Sequence, residues 1–124
     1  MKYFRYCASY VSPHTHQRYG IFIAVWHLVR DKKVSPEDED AYWKARAWFE
    51  ANLPIPSFHA TGNTERAVTW FKESAMGSKV VEELKIYREI AARYGTHIEL
   101  ISSESPGLVI YEDEYQIGAV SENM

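Results

Sequence analysis

Cysteine is almost absent from this chain, which has only Cys7 among its 124 residues. A single thiol cannot form an intramolecular disulfide, and it cannot supply the thiolate clusters that hold structural metals. The fold must therefore rest on its hydrophobic core, for which 46% hydrophobic and 15% aromatic residues provide enough apolar surface. We expect a protein of a reducing compartment.

Long hydrophobic runs are also missing. The longest apolar stretch, IFIAVW at 21–26, is far shorter than the roughly 20 residues that cross a bilayer. The opening MKYFRYCASY alternates polar and aromatic residues and lacks the apolar core and cleavage site of a signal peptide. These features predict a cytoplasmic protein that does not enter a membrane.

Neither charge sign dominates the composition. Fourteen basic and seventeen acidic residues give a formal net charge of −3, which predicts neither a basic phosphate-binding surface nor the anionic surface of a DNA mimic. Nucleic acid is therefore not an expected partner. Because domains cluster at roughly 100 to 150 residues, we expect residues 1–124 to form a single domain.

The first half of the chain predicts one strand followed by two helices. Residues 3–11 alternate with the period of a strand, and residues 20–32 are apolar on nearly every side, as in a buried helix. Ser35 can cap a second helix and Pro36 suits its first position. This helix should end near Asn52, because two prolines follow in NLPIP.

The second half predicts a strand, a helix and three more strands. After an irregular segment at 53–66, AVTWFK at 67–72 suggests a short strand, the alternative being the first turn of the next helix. The apolar stripe of 74–94 predicts a third helix. The alternating runs HIELIS, LVIYE and YQIGAV predict a β-meander. The order β-α-α-β-α-β-β-β indicates an α+β fold, with an antiparallel sheet and three helices packed mainly on one face.

Three consecutive carboxylates, Glu112, Asp113 and Glu114, lie between the last two predicted strands. Alternation puts Glu112 and Glu114 on opposite sides of a tight turn, whereas acid–base or metal chemistry needs carboxylates within about 4 to 6 Å. We interpret the triplet as the solvated tip of a hairpin that resists edge pairing. The alternative is half of a binding site that another segment completes.

The histidines give no complete catalytic or metal motif. His14 and His16 could face one side of an extended segment but lack a third ligand. We interpret His27, on a buried helix, as a hydrogen-bonded residue of the core or its boundary. His59 and Thr61 match one half of the paired His-x-Thr signature of two-histidine phosphoesterases, which occurs here only once. We expect neither a metal nor another cofactor.

Aromatic and basic residues near the predicted strands suggest a binding surface instead. Trp70 or Phe71 could anchor a partner while Lys72 or Arg66 contacts an anion, because Trp and Tyr dominate binding hot spots. The alternative is that one ring of each Trp-Phe pair, at 48–49 and at 70–71, belongs to the core while its neighbour lies at the boundary. The candidate binding residues are Arg66, Trp70, Phe71, Lys72, Tyr111, Glu112 and Gln116.

The segments WFK at 70–72 and PGLVIYEDEYQIGAV at 106–120 resemble a group of small bacterial proteins. These share an aromatic N-terminal strand, a helical middle with a Leu-Pro-x-Pro stop, a Trp-Phe-Lys segment and a terminal Tyr-Glu-Asp-Glu hairpin. The resemblance covers most of the chain. It implies the architecture and no particular activity, cofactor or ligand.

Our leading hypothesis is a non-catalytic binding or regulatory protein that holds a protein partner or a small ligand through its aromatic-rich surface. It could be a homodimer, and an inhibitor in a bacterial or phage system. The alternative is a small hydrolase or transferase for a phosphorylated or nucleotide-like substrate, with His27 or His59 as acid or base and Lys72 or Arg66 binding the anion. A purely structural subunit is the third hypothesis.

Overall fold

The computed structural model of the protein describes residues 1–121. Within them the chain forms three α-helices and one six-stranded antiparallel sheet, which confirms the α+β class and the predicted order of elements. The helices are α1 (Ile21–Arg30), α2 (Pro36–Asn52) and α3 (Lys79–Arg93). The strands are β1 (Tyr3–Val11), β2 (Arg18–Gly20), β3 (Val68–Lys72), β4 (Ile98–Ser103), β5 (Leu108–Glu112) and β6 (Gln116–Val120).

Three short elements were not predicted from the sequence. Strand β2 pairs with β1 and continues directly into α1. Ser57–Thr61 and Glu73–Ala75 form 3₁₀ turns. The second turn lies where the third helix was predicted to begin, so α3 begins at Lys79 and not near residue 74.

The last three strands do not form the predicted β-meander. Strand β4 pairs with β1, whereas β5 pairs with β6 and β6 pairs with β3. Alternation of apolar and polar residues identifies strands but does not specify which strands pair, and one long edge of β1 accepts β4 instead. The sheet order is therefore β4-β1-β3-β6-β5, with β2 beside the second half of β1.

The helices and the sheet enclose one apolar core. Its members include Tyr6 and Phe71 from the sheet, together with side chains of all three helices. The start of α2 matches its prediction: the Ser35 side chain accepts a hydrogen bond from the Asp38 backbone N–H at 3.2 Å, and Pro36 is the first helical residue. No helix within residues 1–121 is long and apolar enough to cross a bilayer.

One edge of β1 is shared by two partner strands. Strand β3 pairs with Tyr3 and Phe4, and β2 pairs from Cys7 onward, while β4 pairs with the opposite edge. Arg5 and Tyr6 therefore lie between the two partners. This gap positions the site described next.

Candidate functional site

A cleft in two parts extends between α1, the 53–69 segment and the gap in the sheet. We call the first part, a cavity of about 450 Å³ between α1, α2 and Gln116, the aromatic lobe. We call the second, about 650 Å³ between Arg5, the 12–20 loop and Asn63, the polar lobe. The two lobes adjoin, because they share five lining residues, namely Phe22, Ile23, Trp26, His59 and Thr69.

Rings held at fixed angles line the aromatic lobe. Phe22 packs edge to face against Phe49 at 5.0 Å and against Tyr87 at 5.2 Å between ring centroids. Tyr42 and Trp26 complete this wall. Such interlocked aromatic pairs resist collapse, so the lobe is a preformed apolar cavity.

An ion pair borders the aromatic lobe. Arg46 Nε lies 3.0 Å from Glu50 Oε1, and the Arg46 guanidinium stacks over the Trp26 ring at 5.6 Å. Because its charge is already paired, Arg46 is available mainly for stacking against a bound ligand.

Two polar side chains line the aromatic lobe, Gln116 from β6 and His59 from the Ser57–Thr61 turn. Gln116 Nε2 donates to the Pro54 carbonyl at 2.9 Å and to Asp113 Oδ2 at 3.2 Å, which fixes the amide in place. The His59 ring contacts the Phe58 ring in a tilted arrangement, at 4.5 Å between ring centroids, and has no hydrogen-bond partner among residues 1–121. Burial lowers the pKa of His59, so the ring is neutral at pH 7 and can both donate and accept.

Arg5 is the unusual residue of the polar lobe. Only 8% of its surface is exposed, and its one hydrogen bond runs from Nη2 to the Arg18 carbonyl at 2.5 Å. No carboxylate of residues 1–121 forms an ion pair with it. Burial lowers the pKa of the guanidinium from its very high ordinary value. A buried cation without an acidic partner is costly to keep in a fold.

The neighbouring Arg18 is neutralised. Its Nη1 binds Glu99 Oε1 at 2.7 Å, and its Nε donates to the Ala8 carbonyl at 2.6 Å. Arg5 and Arg18 thus lie in the same lobe with different electrostatic surroundings. Arg5 alone keeps an uncompensated charge there.

Hydrogen bonds hold the loop walls of the polar lobe in place. The His14 ring Nε2 bonds the Asn63 carbonyl at 2.8 Å and so ties the 12–20 loop to the 53–66 segment. The Asn63 side chain donates to the Ala67 carbonyl and accepts from the Ala67 N–H, both at 2.8 Å. Asn63 has a φ of 51°, a left-handed conformation that asparagine tolerates better than most residues. The irregular segment predicted from the sequence is therefore an ordered wall of the cleft.

The structure separates the seven binding residues predicted from the sequence. Lys72 Nζ lies 2.5 Å from Glu112 Oε2, Phe71 is buried in the core, and Arg66 is exposed on the loop. The Trp70 Nε1 is buried and has no hydrogen-bond partner among residues 1–121. Of the seven, only Gln116 lines the two-lobed cleft.

The acidic triplet closes the β5–β6 hairpin. Asp113 Oδ1 accepts from the backbone N–H groups of Tyr115 and Gln116 at 2.8 and 3.0 Å. Its Oδ2 accepts from Tyr111 Oη at 2.7 Å and from the Gln116 amide. Asp113 is thus an acceptor that shapes the turn. No group of three or more potential ligands in the described part of the chain could hold a metal ion.

The four groups of the enzyme hypothesis do not share one cavity. His27 and His59 line the polar lobe, whereas Lys72 and Arg66 line neither lobe. His27 Nδ1 is hydrogen-bonded to Tyr10 Oη at 2.7 Å, and burial lowers its pKa, assisted by the nearby Arg30. His27 therefore has the hydrogen-bonded role that we preferred for it from the sequence.

Sequence reasoning missed Arg5, Phe22 and Tyr42. Arg5 had one detectable signal, a lone cation in the middle of the aromatic strand YFRYCASY. Alternation placed it on the polar side of β1, and only the pairing of β2 and β3 shows that this position is enclosed. Comparisons with protein-family models, curated proteins and solved structures found no match.

Proposed function

We propose that the protein is a non-catalytic binding protein whose ligand is a small, largely apolar molecule held in the aromatic lobe. The observation that carries this proposal is the preformed cavity of about 450 Å³ lined by Phe22, Trp26, Tyr42, Phe49 and Tyr87. Apolar cavities of this size with a few fixed polar groups are the usual form of small-molecule sites.

The polar groups of the lobe favour binding over catalysis. Gln116 is held by Pro54 and Asp113, and Arg46 is paired with Glu50, so neither is poised as an acid or base. His59 has a free ring, but no nucleophile in the described chain is hydrogen-bonded to it. These side chains orient a ligand and supply hydrogen bonds to it.

The test uses N-phenyl-1-naphthylamine, a neutral dye that fluoresces in apolar sites. We expect the protein to bind it, and Ile23→Glu to weaken binding because Ile23 lines both lobes and the change puts a charge on their shared wall. Leu100→Glu is the matched control, since Leu100 is 47% exposed against 45% for Ile23 and lies outside the cleft. Equal binding by both variants, or none by the unmodified protein, contradicts the proposal.

A second candidate function, self-association, is favoured by β5. This strand ends the sheet order, and three consecutive residues on it, Leu108, Val109 and Ile110, are exposed and apolar. Unpaired apolar edges pair readily with another strand. We propose a homodimer formed through this edge. Sedimentation should show a dimer that Val109→Lys converts to a monomer, and an unmodified protein that stays monomeric at high concentration overturns the idea.

A further inference from the structure

We propose that the polar lobe is an anion-binding subsite, in which Arg5 and the N-terminus of α1 hold the carboxylate or phosphate group of the ligand. The inference rests on the proposed function, because the apolar body of the same ligand would fill the adjoining aromatic lobe. Three independent features of the structure support it.

The first feature is the state of Arg5. A guanidinium has five N–H donors, and here only one hydrogen bond, to the Arg18 carbonyl, is formed with residues 1–121. The side chain is more than nine-tenths buried and lines the lobe. An anion placed in the lobe would supply the missing acceptors and offset the buried charge. The planar guanidinium of Arg5 can donate two parallel hydrogen bonds to a carboxylate or a phosphate.

The second feature is the start of α1. The N-cap residue is Gly20, which has no side chain to cap the helix, and the first turn contains no acidic residue. The first N–H groups of a helix have no intrahelical acceptor and carry the positive end of the helix dipole. Gly20 lies next to Arg5, because a Cβ atom built on it would be 3.7 Å from Arg5 Nη2. Two sources of positive potential therefore meet at one point of the lobe.

The third feature is the composition of the lining. None of the residues that line the polar lobe is Asp or Glu. Its other polar groups include the Ser12 hydroxyl, whose oxygen accepts from the His14 and Thr15 backbone N–H groups and whose proton is left to donate. A lobe that offers donors and no carboxylate selects an acceptor-rich ligand group.

The adjacency of the two lobes defines the ligand class that we propose. Phe22, His59 and Thr69 belong to both cavities, so one molecule can place its anionic group beside Arg5 and its rings beside Tyr42 and Phe49. An aromatic carboxylate or an aryl phosphate monoester has this shape and charge. A free inorganic anion would occupy only half of the cleft.

The experiment compares three probes by isothermal titration calorimetry: naphthalene-2-carboxylate, its neutral amide and 2-naphthyl phosphate. We expect the unmodified protein to bind at least one of the two anions about 10-fold or more tightly than the amide, because hydrogen bonds from a guanidinium to a charged group are stronger than those to a neutral amide. The ratio of the two anions identifies carboxylate or phosphate as the preferred group.

Variants assign the preference to Arg5. Arg5→Met should remove most of the difference between anion and amide while leaving amide binding within about twofold, whereas Arg5→Lys should retain part of it. Arg88→Met is the matched control, because Arg88 stacks over Tyr6 outside the two lobes. The probe comparison on the unmodified protein needs no variant, so it stands even where Arg5→Met fails to fold.

The outcomes separate the two proposals. If the amide binds as tightly as both anions, the aromatic lobe still binds ligands and the anion subsite is overturned. If none of the three probes binds, both proposals fail. An anion preference that Arg88→Met abolishes and Arg5→Met retains also overturns the assignment to Arg5.

Discussion

The ring of Phe58 lies directly against Gly118, since a Cβ atom built on that glycine would be 2.2 Å from Phe58 Cε1. Gly118 lies in β6, where it pairs with Thr69 of β3. Phe58 belongs to the 3₁₀ turn that also carries His59. The absence of a side chain at position 118 thus allows the cleft wall to dock on the sheet.

Gly118→Ala should destabilise the protein and disturb the cleft. The added methyl group must displace Phe58, and overpacking of this kind costs about 1 to 3 kcal/mol. Urea denaturation will measure the loss. We also expect weaker binding of N-phenyl-1-naphthylamine, because His59 moves with Phe58.

Gly77→Ala is the control for this prediction, since nothing lies within 4 Å of a Cβ atom there. It should leave stability and dye binding nearly unchanged. If Gly118→Ala also leaves stability and dye binding unchanged, Phe58 does not pack on the sheet as described.

Asp113→Asn should destabilise the β5–β6 hairpin. Asp113 accepts four hydrogen bonds, two on each carboxylate oxygen. An amide nitrogen in place of Oδ2 would face the Gln116 amide as donor to donor, so we expect a loss of about 1 to 3 kcal/mol in urea denaturation. Glu114→Gln, an exposed change on the same turn, is the control and should have little effect.

The same variant should change the titration of Tyr111. Burial, together with the hydrogen bond and the negative charge of Asp113, raises the pKa of Tyr111 to about 12. Removing the Asp113 charge should lower this pKa toward 10. Titration of ¹³C-labelled tyrosine Cζ signals will show it, and an unchanged Tyr111 pKa in Asp113→Asn would contradict the described contact.

The sequence predicted individual elements better than it predicted how the strands pair. The ranges of β1 and α2 follow from local patterns, namely alternation over 3–11 and the Ser35 cap with prolines beyond Asn52. The pairing of β4 with β1 is a long-range choice that alternation does not encode. The polar lobe depends on a second long-range choice, because Arg5 lies in the gap that forms when β2 and β3 both pair with β1.

Asp38 should make the stability depend on acid pH. Its Oδ2 accepts from the Tyr94 hydroxyl at 2.5 Å and its Oδ1 pairs with Arg93, which joins the start of α2 to the end of α3. These two contacts, Tyr94 first, lower the pKa of Asp38 below its ordinary value of 3.8. As the pH falls, the Asp38 carboxylate is therefore protonated in the unfolded chain before it is protonated in the folded one. The stabilisation by Asp38 is fully present above about pH 3.8 and is lost as the pH falls through the pKa of the folded state.

Asp38→Asn should therefore have a lower free energy of unfolding than the unmodified protein at pH 7. The difference between the two free energies should become smaller as the pH falls below about 4. Urea denaturation at several pH values measures both curves. Because other carboxylates with lowered pKa values, Asp31 and Glu99, titrate in both proteins, the difference between the curves isolates Asp38. Asp40→Asn, exposed on the same helix, is the control. A difference in free energy of unfolding that does not change with pH would contradict the role of Asp38.

Substitutions of Lys72 and Glu112 test whether a ligand binds at the surface predicted from the sequence or in the cleft found in the structure. Their contact at 2.5 Å joins β3 to β5 across β6. A double-mutant cycle with Lys72→Met and Glu112→Gln should give a coupling energy of about 0.5 to 1 kcal/mol in urea denaturation, the upper range for partly exposed ion pairs.

Both variants should bind naphthalene-2-carboxylate as the unmodified protein does, because neither residue lines the cleft. If Lys72→Met weakens this binding as much as Arg5→Met, the anion lies on the surface predicted from the sequence, and Lys72 rather than Arg5 holds it.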